Sequence, residues 1–156
     1  QGEVTEGAAD EAEFAALEDG WRTAATPQEE QRNLYAMADV TDPDLFRRTL
    51  ALSVGEVRSQ NSPYLLRRCL AHPTLGATAW AHVDAHWDDL VGRLGGVSAA
   101  RMLEGVRSVT DADLAAEIGR VLRDRALPAG ERLVEQHLER MQVQVAAAAA
   151  VRAALA

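Results

Sequence analysis

Three times between Thr26 and Pro63 the chain places a short polar residue directly before a proline: Thr26-Pro27, Asp42-Pro43 and Ser62-Pro63. Proline has no N–H and a restricted φ, so a helix accepts it only in the first turn, where that N–H would lack a partner anyway. The residue before it is pushed out of the helical region and becomes a natural cap. Each dipeptide therefore ends one helix and opens another, and no helix runs through. Glu29 completes a capping box with Thr26, and Asp44 meets the positive end of the helix that Asp42 caps.

The segments between these signals have helical periodicity. Phe14, Leu17 and Trp21 lie at i, i+3 and i+7 in a pattern that begins at Glu11. Leu34, Met37 and Ala38 form the inner face of the next helix, with Tyr35 at its edge. After Asp42, Leu45, Leu52 and either Phe46 or Leu50 point inward, while Arg47 and Arg48 point outward. Gly55 breaks that helix. Leu65, Leu66, Cys69 and Leu70 form the buried side of the one begun at Ser62-Pro63, and His72-Pro73 closes it. Thr74 or Gly76 opens a longer helix to about Val91, with Trp80, Val83, Trp87 and Leu90 on one stripe. Gly92, Gly95 and Gly96 end it. Ser98 caps a short helix through Met102, Leu103 and Val106. Thr110 or Asp111 caps another, with Leu114, Ile118, Val121 and Leu122 inside. Past the Leu127-Pro128 break, one long helix from Ala129 to about Val151 carries Leu133, Val134, His137, Leu138, Met141 and Val145.

About eight helices result, in four pairs that start near Glu11, Asp42, Leu75 and Asp111. That spacing, in the low-to-mid thirties, is the range of two-helix solenoid repeats. The expected fold is all-α: stacked antiparallel helix pairs in a HEAT/armadillo-like α–α superhelix. The composition agrees, since hydrophobic residues are 47% of the chain but aromatics only 4%. Residues 1–10 are small and polar and read as a flexible leader, part of it a tag remnant. Residues 11–156 read as a single helical-repeat domain, the C-terminal part of a larger protein.

A formal net charge of −8 argues against nucleic acid or an anionic membrane as the main partner, because both require clustered positive charge. No apolar run approaches the roughly 20 residues of a membrane span. No secretory signal pattern is present, which is uninformative in a sequence that does not open on Met; the expected location is the cytoplasm. All 16 basic residues are Arg, as a GC-rich bacterial coding bias produces. The lone cysteine, Cys69, excludes an internal disulfide and sits in an apolar pattern. His72 is three residues on, but Pro73 directly after it ends the helix there, so a buried thiol is the reading rather than a nucleophile.

Each other chemical candidate competes with a plain structural role. His82 and His86, at i and i+4 with Asp84 between, have the spacing of a shared metal site, yet Val83 stands where the metalloprotease motif needs Glu. They otherwise flank the tryptophan stripe. Trp80 and Trp87 read as core, with each indole N–H finding a local partner. Glu29 belongs to the cap and Glu30 to solvent. Arg67 and Arg68 either bridge to acidic residues of a neighbouring helix or bind a carboxylate or phosphate. His137 reads as a satisfied, partly buried histidine. No Gly-rich phosphate loop, nucleophile elbow or paired-cysteine metal site occurs.

The order of residues carries more than their period. The run Thr26-Pro27-Gln28-Glu29-Glu30-Gln31-Arg32-Asn33-Leu34-Tyr35-Ala36-Met37-Ala38 is similar to the C-terminal helical domain of the aminopeptidase N family of zinc metallopeptidases. So are Glu56-Val57-Arg58-Ser59-Gln60-Asn61-Ser62-Pro63, then Ala79-Trp80, His86-Trp87-Asp88 and Gln136-His137-Leu138-Glu139-Arg140. The likeness runs in order from about Asp19 to Val145, and the chain resembles the puromycin-sensitive and endoplasmic-reticulum type enzymes. It implies a stack of HEAT-like pairs that rests on a catalytic domain, closes the cavity over its active site and touches the distal part of a peptide substrate. The zinc, its His-Glu-x-x-His helix and the remaining catalytic groups belong to that other domain. No catalytic, cofactor-binding or metal-binding position transfers to this chain. Its partners would be the catalytic domain of the same polypeptide and the peptide. Arg58, Arg67 and Arg68, cations able to meet a carboxylate, are the candidate peptide contacts. A free-standing helical-repeat scaffold that binds proteins, or a metal module built on His82 and His86, are the alternatives.

Overall fold

The capping logic reappears in the backbone. Thr26 Oγ1 accepts from Glu29 N at 3.2 Å, and Asp42 Oδ1 accepts from Asp44 N at 2.9 Å and Leu45 N at 3.0 Å. Asp111 accepts from Leu114 N at 2.8 Å. The computed structural model describes the backbone of residues 2–125 and 127–156 and, within these, the side chains other than those of residues 2–6 and 9. Among the described residues it comprises nine α-helices and one 3-10 segment, without a strand. The helices are α1 Gly2–Arg22, α2 Pro27–Ala38, α3 Pro43–Ser53, α4 Ser62–Leu70, α5 Gly76–Ala85, α6 Trp87–Leu94 and α7 Gly96–Met102, followed by the 3-10 segment Leu103–Ser108, α8 Ala112–Asp124 and α9 Glu131–Leu155.

These elements pack in two layers. The second members of successive pairs touch in order: α2 on α4, α4 on α7 and the 3-10 segment, and these on α9. The first members lie outside them, with α1 on α2, α3 on α4 and α8 on α9. Helix α4 contacts α2, α3, α5, α7 and the 3-10 segment, so it is the hub. Its sequence explains this. Leu65, Leu66, Cys69 and Leu70 bury one side completely or nearly so, while Tyr64, Arg67, Arg68 and Ala71, at i, i+3, i+4 and i+7, form the other. The core is one continuous cluster from Phe14 in α1 to Met141 in α9. Burial of that apolar surface, at roughly 25 cal/mol per Å², is the main stabilising term.

Several local expectations change. Helix α1 begins at Gly2, nine residues before Glu11. Apolar periodicity reports burial rather than helix, and Phe14 is the first buried side chain among those described. The leader expected over residues 1–10 lies outside the described residues at Gln1 and at the side chains of 2–6 and 9. Both Phe46 and Leu50 are buried, whereas Leu52 is only partly so. The helix expected from Thr74 or Gly76 to about Val91 is two helices, α5 and α6. His86 Nδ1–H donates to the His82 carbonyl at 2.9 Å, the same oxygen that its own N–H uses at 3.1 Å. A side chain competing for the i−4 carbonyl bends a helix, and His86 leaves the helical region at φ −107°. Ser98 does not cap, because α7 already starts at Gly96; the turn before it is made by Gly95 at φ +80°, a conformation that favours glycine. Ser62 does not cap α4 either. Its hydroxyl donates to Ser53 O at 2.7 Å and ties α4 to the end of α3.

Candidate functional site

The exposed side of α4 faces a cavity of about 460 Å³. Tyr35 from α2, Tyr64, Arg67 and Arg68 from α4, and Glu104 and Arg107 from the 3-10 segment line it. The three elements come together because Gly105, without a side chain, lets the 3-10 segment cross directly over the Arg67 carbonyl.

The arginines have different commitments. Arg68 forms a bidentate pair with Asp39, Nε to Oδ1 at 2.8 Å and Nη2 to Oδ2 at 2.7 Å. Its pKa is raised chiefly by that hydrogen-bonded carboxylate, and its guanidinium lies 5.9 Å from the Tyr35 ring centroid. Arg67 Nη1 donates to Glu104 Oε2 at 3.2 Å and its guanidinium lies 5.3 Å from the Tyr64 centroid. Both pairs lie at the surface; the Arg67 pair is a single exposed contact that a ligand anion can replace, whereas the Arg68 pair is bidentate and firmer. Burial raises the Tyr35 hydroxyl pKa, with nearby Arg67 opposing it.

Arg107 is different. Among the described residues its bond partner is an imidazole instead of a carboxylate: Nε–H donates to His137 Nδ1 at 2.7 Å. His137 Nε2–H in turn donates to Ala100 O at 2.8 Å. The two bonds define a neutral imidazole protonated at Nε2. Burial lowers the His137 pKa, the hydrogen bond to the Ala100 carbonyl opposes that, and the adjacent Arg107 charge lowers it further; the net shift is downward and favours the neutral ring. His137 is 1% exposed, more buried than expected. Arg107 had no signal in the sequence, because a 3-10 segment shows no amphipathic stripe on which to place it.

Of the three candidate peptide contacts, the cavity brings Arg67 and Arg68 together. Arg58 lies outside its lining, 3.7 Å from Glu30. The remaining candidates take structural roles. Glu29 Oε2 accepts from Ala25 N at 3.1 Å, one residue before the cap. His82 and His86 stack at 4.3 Å, and burial, followed by the neighbouring His86, lowers His82 to a pKa of about 4. Asp84 is held by Arg125 at 2.7 Å instead of joining them. Among the described residues no group of three His, Cys, Asp or Glu side chains is placed to hold a metal ion. Cys69 is buried, and burial pushes its pKa up to about 12. His72 turns away from it: Nε2–H donates to Val40 O at 2.9 Å, while Nδ1 accepts from the N–H groups of Thr74 and Leu75 at the start of α5. Trp80 and Trp87 are core. Trp80 Nε1 nevertheless lacks the expected partner among the described residues. None of the helices, within the described residues, is long and apolar enough to cross a membrane.

A family model described as the ERAP1-like C-terminal domain matches residues 3–143. No curated protein matches the chain.

Proposed function

Because the chain belongs to the ERAP1-like C-terminal domain family, a C-terminal domain of the M1 aminopeptidases, we propose that it is the non-catalytic, cavity-closing domain of a zinc aminopeptidase. In this reading it packs against the catalytic domain of the same polypeptide, limits access to the active site and holds the part of a peptide substrate that lies away from the scissile bond. The zinc, and the activation of water for hydrolysis, belong to the catalytic domain. The proposed location is the cytoplasm, in a bacterial cell, in keeping with a single buried, unpaired cysteine.

The observation that carries the reading is the cavity on α4. In a chain of net charge −8, three guanidiniums and two tyrosine rings converge on one concavity. Arginine presents paired N–H groups that match a carboxylate, and the tyrosine faces add apolar surface beside it. Arg67 and Arg68 are the proposed contacts to the carboxylate of a peptide. Arg58, outside the cavity lining and paired with Glu30, is the third proposed contact.

Titration calorimetry of a ten-residue peptide with a free carboxyl terminus tests this. Binding should weaken about fivefold to tenfold in Arg67→Ala, the range for losing one exposed charge-assisted bond. Amidating the peptide terminus should have the same effect. Equal binding by wild type and Arg67→Ala, or indifference to amidation, would remove the reading. With zinc added, the chain alone should not hydrolyse an aminoacyl reporter; zinc-dependent turnover would overturn its non-catalytic role.

A further inference from the structure

Arg107 and His137 form the one contact by which α9 reaches the cavity with a polar side chain, among the described residues. Arg107 is partly buried and His137 fully so. The imidazole is fixed at both ends, by Ala100 O on α7 and by Arg107 Nε on the 3-10 segment. A guanidinium held at Nε retains its two terminal NH2 groups, four N–H donors, for whatever enters the cavity. Arg67 and Arg68 must exchange a carboxylate to do the same. Arg107 needs no such exchange, because its held nitrogen is bound to a neutral acceptor.

We propose that His137 is a positioning residue for anion recognition in this cavity: its Nδ1 holds Arg107 by Nε so that the terminal amino groups face a ligand carboxylate. The inference rests on the cavity being a peptide site and assigns Arg107 as its pre-organised cation. Holding one nitrogen of a long side chain removes rotamers that binding would otherwise have to freeze. The groups around the imidazole agree with a neutral ring. Arg107 and Glu104 face it from the 3-10 segment and affect its pKa in opposite senses. From α7 it meets the Ala100 carbonyl, and on α9 its neighbours Val134, Leu138 and Met141 are apolar and buried. Arg101 on α7 and Glu135 and Arg140 on α9 point to solvent.

Two substitutions separate positioning from simple support. In His137→Asn the amide oxygen takes the place of Nδ1 and keeps the Arg107 bond while losing Ala100. In His137→Gln the amide reaches the Nε2 position and keeps Ala100 while losing Arg107. Both remove a ring from the core, so both should lower the urea midpoint. Binding of the ten-residue peptide should differ: retained within about twofold in His137→Asn and weakened about fivefold to tenfold in His137→Gln, as in Arg107→Ala. In the unliganded chain, imidazole 15N shifts should show the Nε2–H form and a hydrogen-bonded Nδ1. Equal binding in both variants, with wild-type binding still sensitive to Arg67→Ala, overturns the positioning role and leaves the peptide site standing. A protonated or Nδ1–H imidazole at neutral pH overturns it as well. Absence of wild-type peptide binding removes the peptide site and this proposal together.

Discussion

Gly105→Ala is the most demanding test of how the layers fit. A methyl group at Gly105 would lie 2.6 Å from Leu70 Cβ and 3.1 Å from the Arg67 carbonyl carbon, and nearer still to the Arg67 oxygen. Ordinary carbon contacts need about 3.5 Å or more, so the 3-10 segment must lift from α4 by about 1 Å. The obstacle is backbone in the hub helix, which has no rotamer to change. Lifting also loosens Leu70, Leu103 and Val106, all at or near full burial. Overpacking of this kind costs about 1–3 kcal/mol, and a backbone obstacle belongs at the upper end. Alanine also restricts the unfolded chain, which returns about 0.4–1 kcal/mol. The net expectation is about 2 kcal/mol of destabilisation. At a slope of about 2 kcal/mol/M, the urea midpoint drops by about 1 M. Gly92→Ala is the control: nothing lies within 4 Å of its Cβ position, it sits inside α6, and it should be neutral or stabilising by up to about 1 kcal/mol. Circular dichroism at equilibrium decides between them. If Gly105→Ala unfolds at the wild-type midpoint, the crossing is looser than described and the geometry of the cavity above it loses its support.

Asp42→Ala removes the acceptor for two N–H groups at the start of α3 and should cost about 1 kcal/mol, read from the same urea curves; no change would mean that solvent satisfies those groups as well. His82 makes stability depend on pH. Its pKa falls from 6.5 unfolded to about 4 folded, so the unfolded chain binds the extra proton. The stabilisation of the neutral ring is complete above about pH 6.5 and is lost progressively as the pH falls toward 4. Full burial would make this about 3 kcal/mol, and the part-exposed position of the ring reduces it to about 1–2 kcal/mol. His137 acts in the same direction. The urea midpoint should be lower at pH 4.5 than at pH 7.5, and His82→Asn should shrink the difference; an unchanged difference refutes the assignment.

Much of the fold was legible because caps and breakers act locally. Thr26, Asp42 and Asp111 report on N–H groups two or three residues away, and the chain between them has little choice. The buried stripes Leu34-Met37-Ala38 and Leu65-Leu66-Cys69-Leu70 follow from the helical period alone. Misreadings came where a side chain used a distant or competing carbonyl. Ser62 bonds Ser53, and His86 bonds His82. Those choices depend on packing that a linear pattern does not contain. The same holds for the cavity. Arg67 and Arg68 stand on a readable helix face, whereas Arg107 acquires its role only when α9 brings His137 beside it.

Cys69 also makes the hub helix observable. It is the only cysteine in the chain, it is fully buried, and burial pushes its pKa up to about 12, so at pH 8 it is a thiol. Because α4 touches α2, α3, α5, α7 and the 3-10 segment at once, fraying at either end of the molecule does not uncover it. A thiol reagent at pH 8 therefore has to wait for the centre to open. The rate of a single labelling event reports how readily the assembled layers open, and whatever binds and steadies them will register as a slower clock.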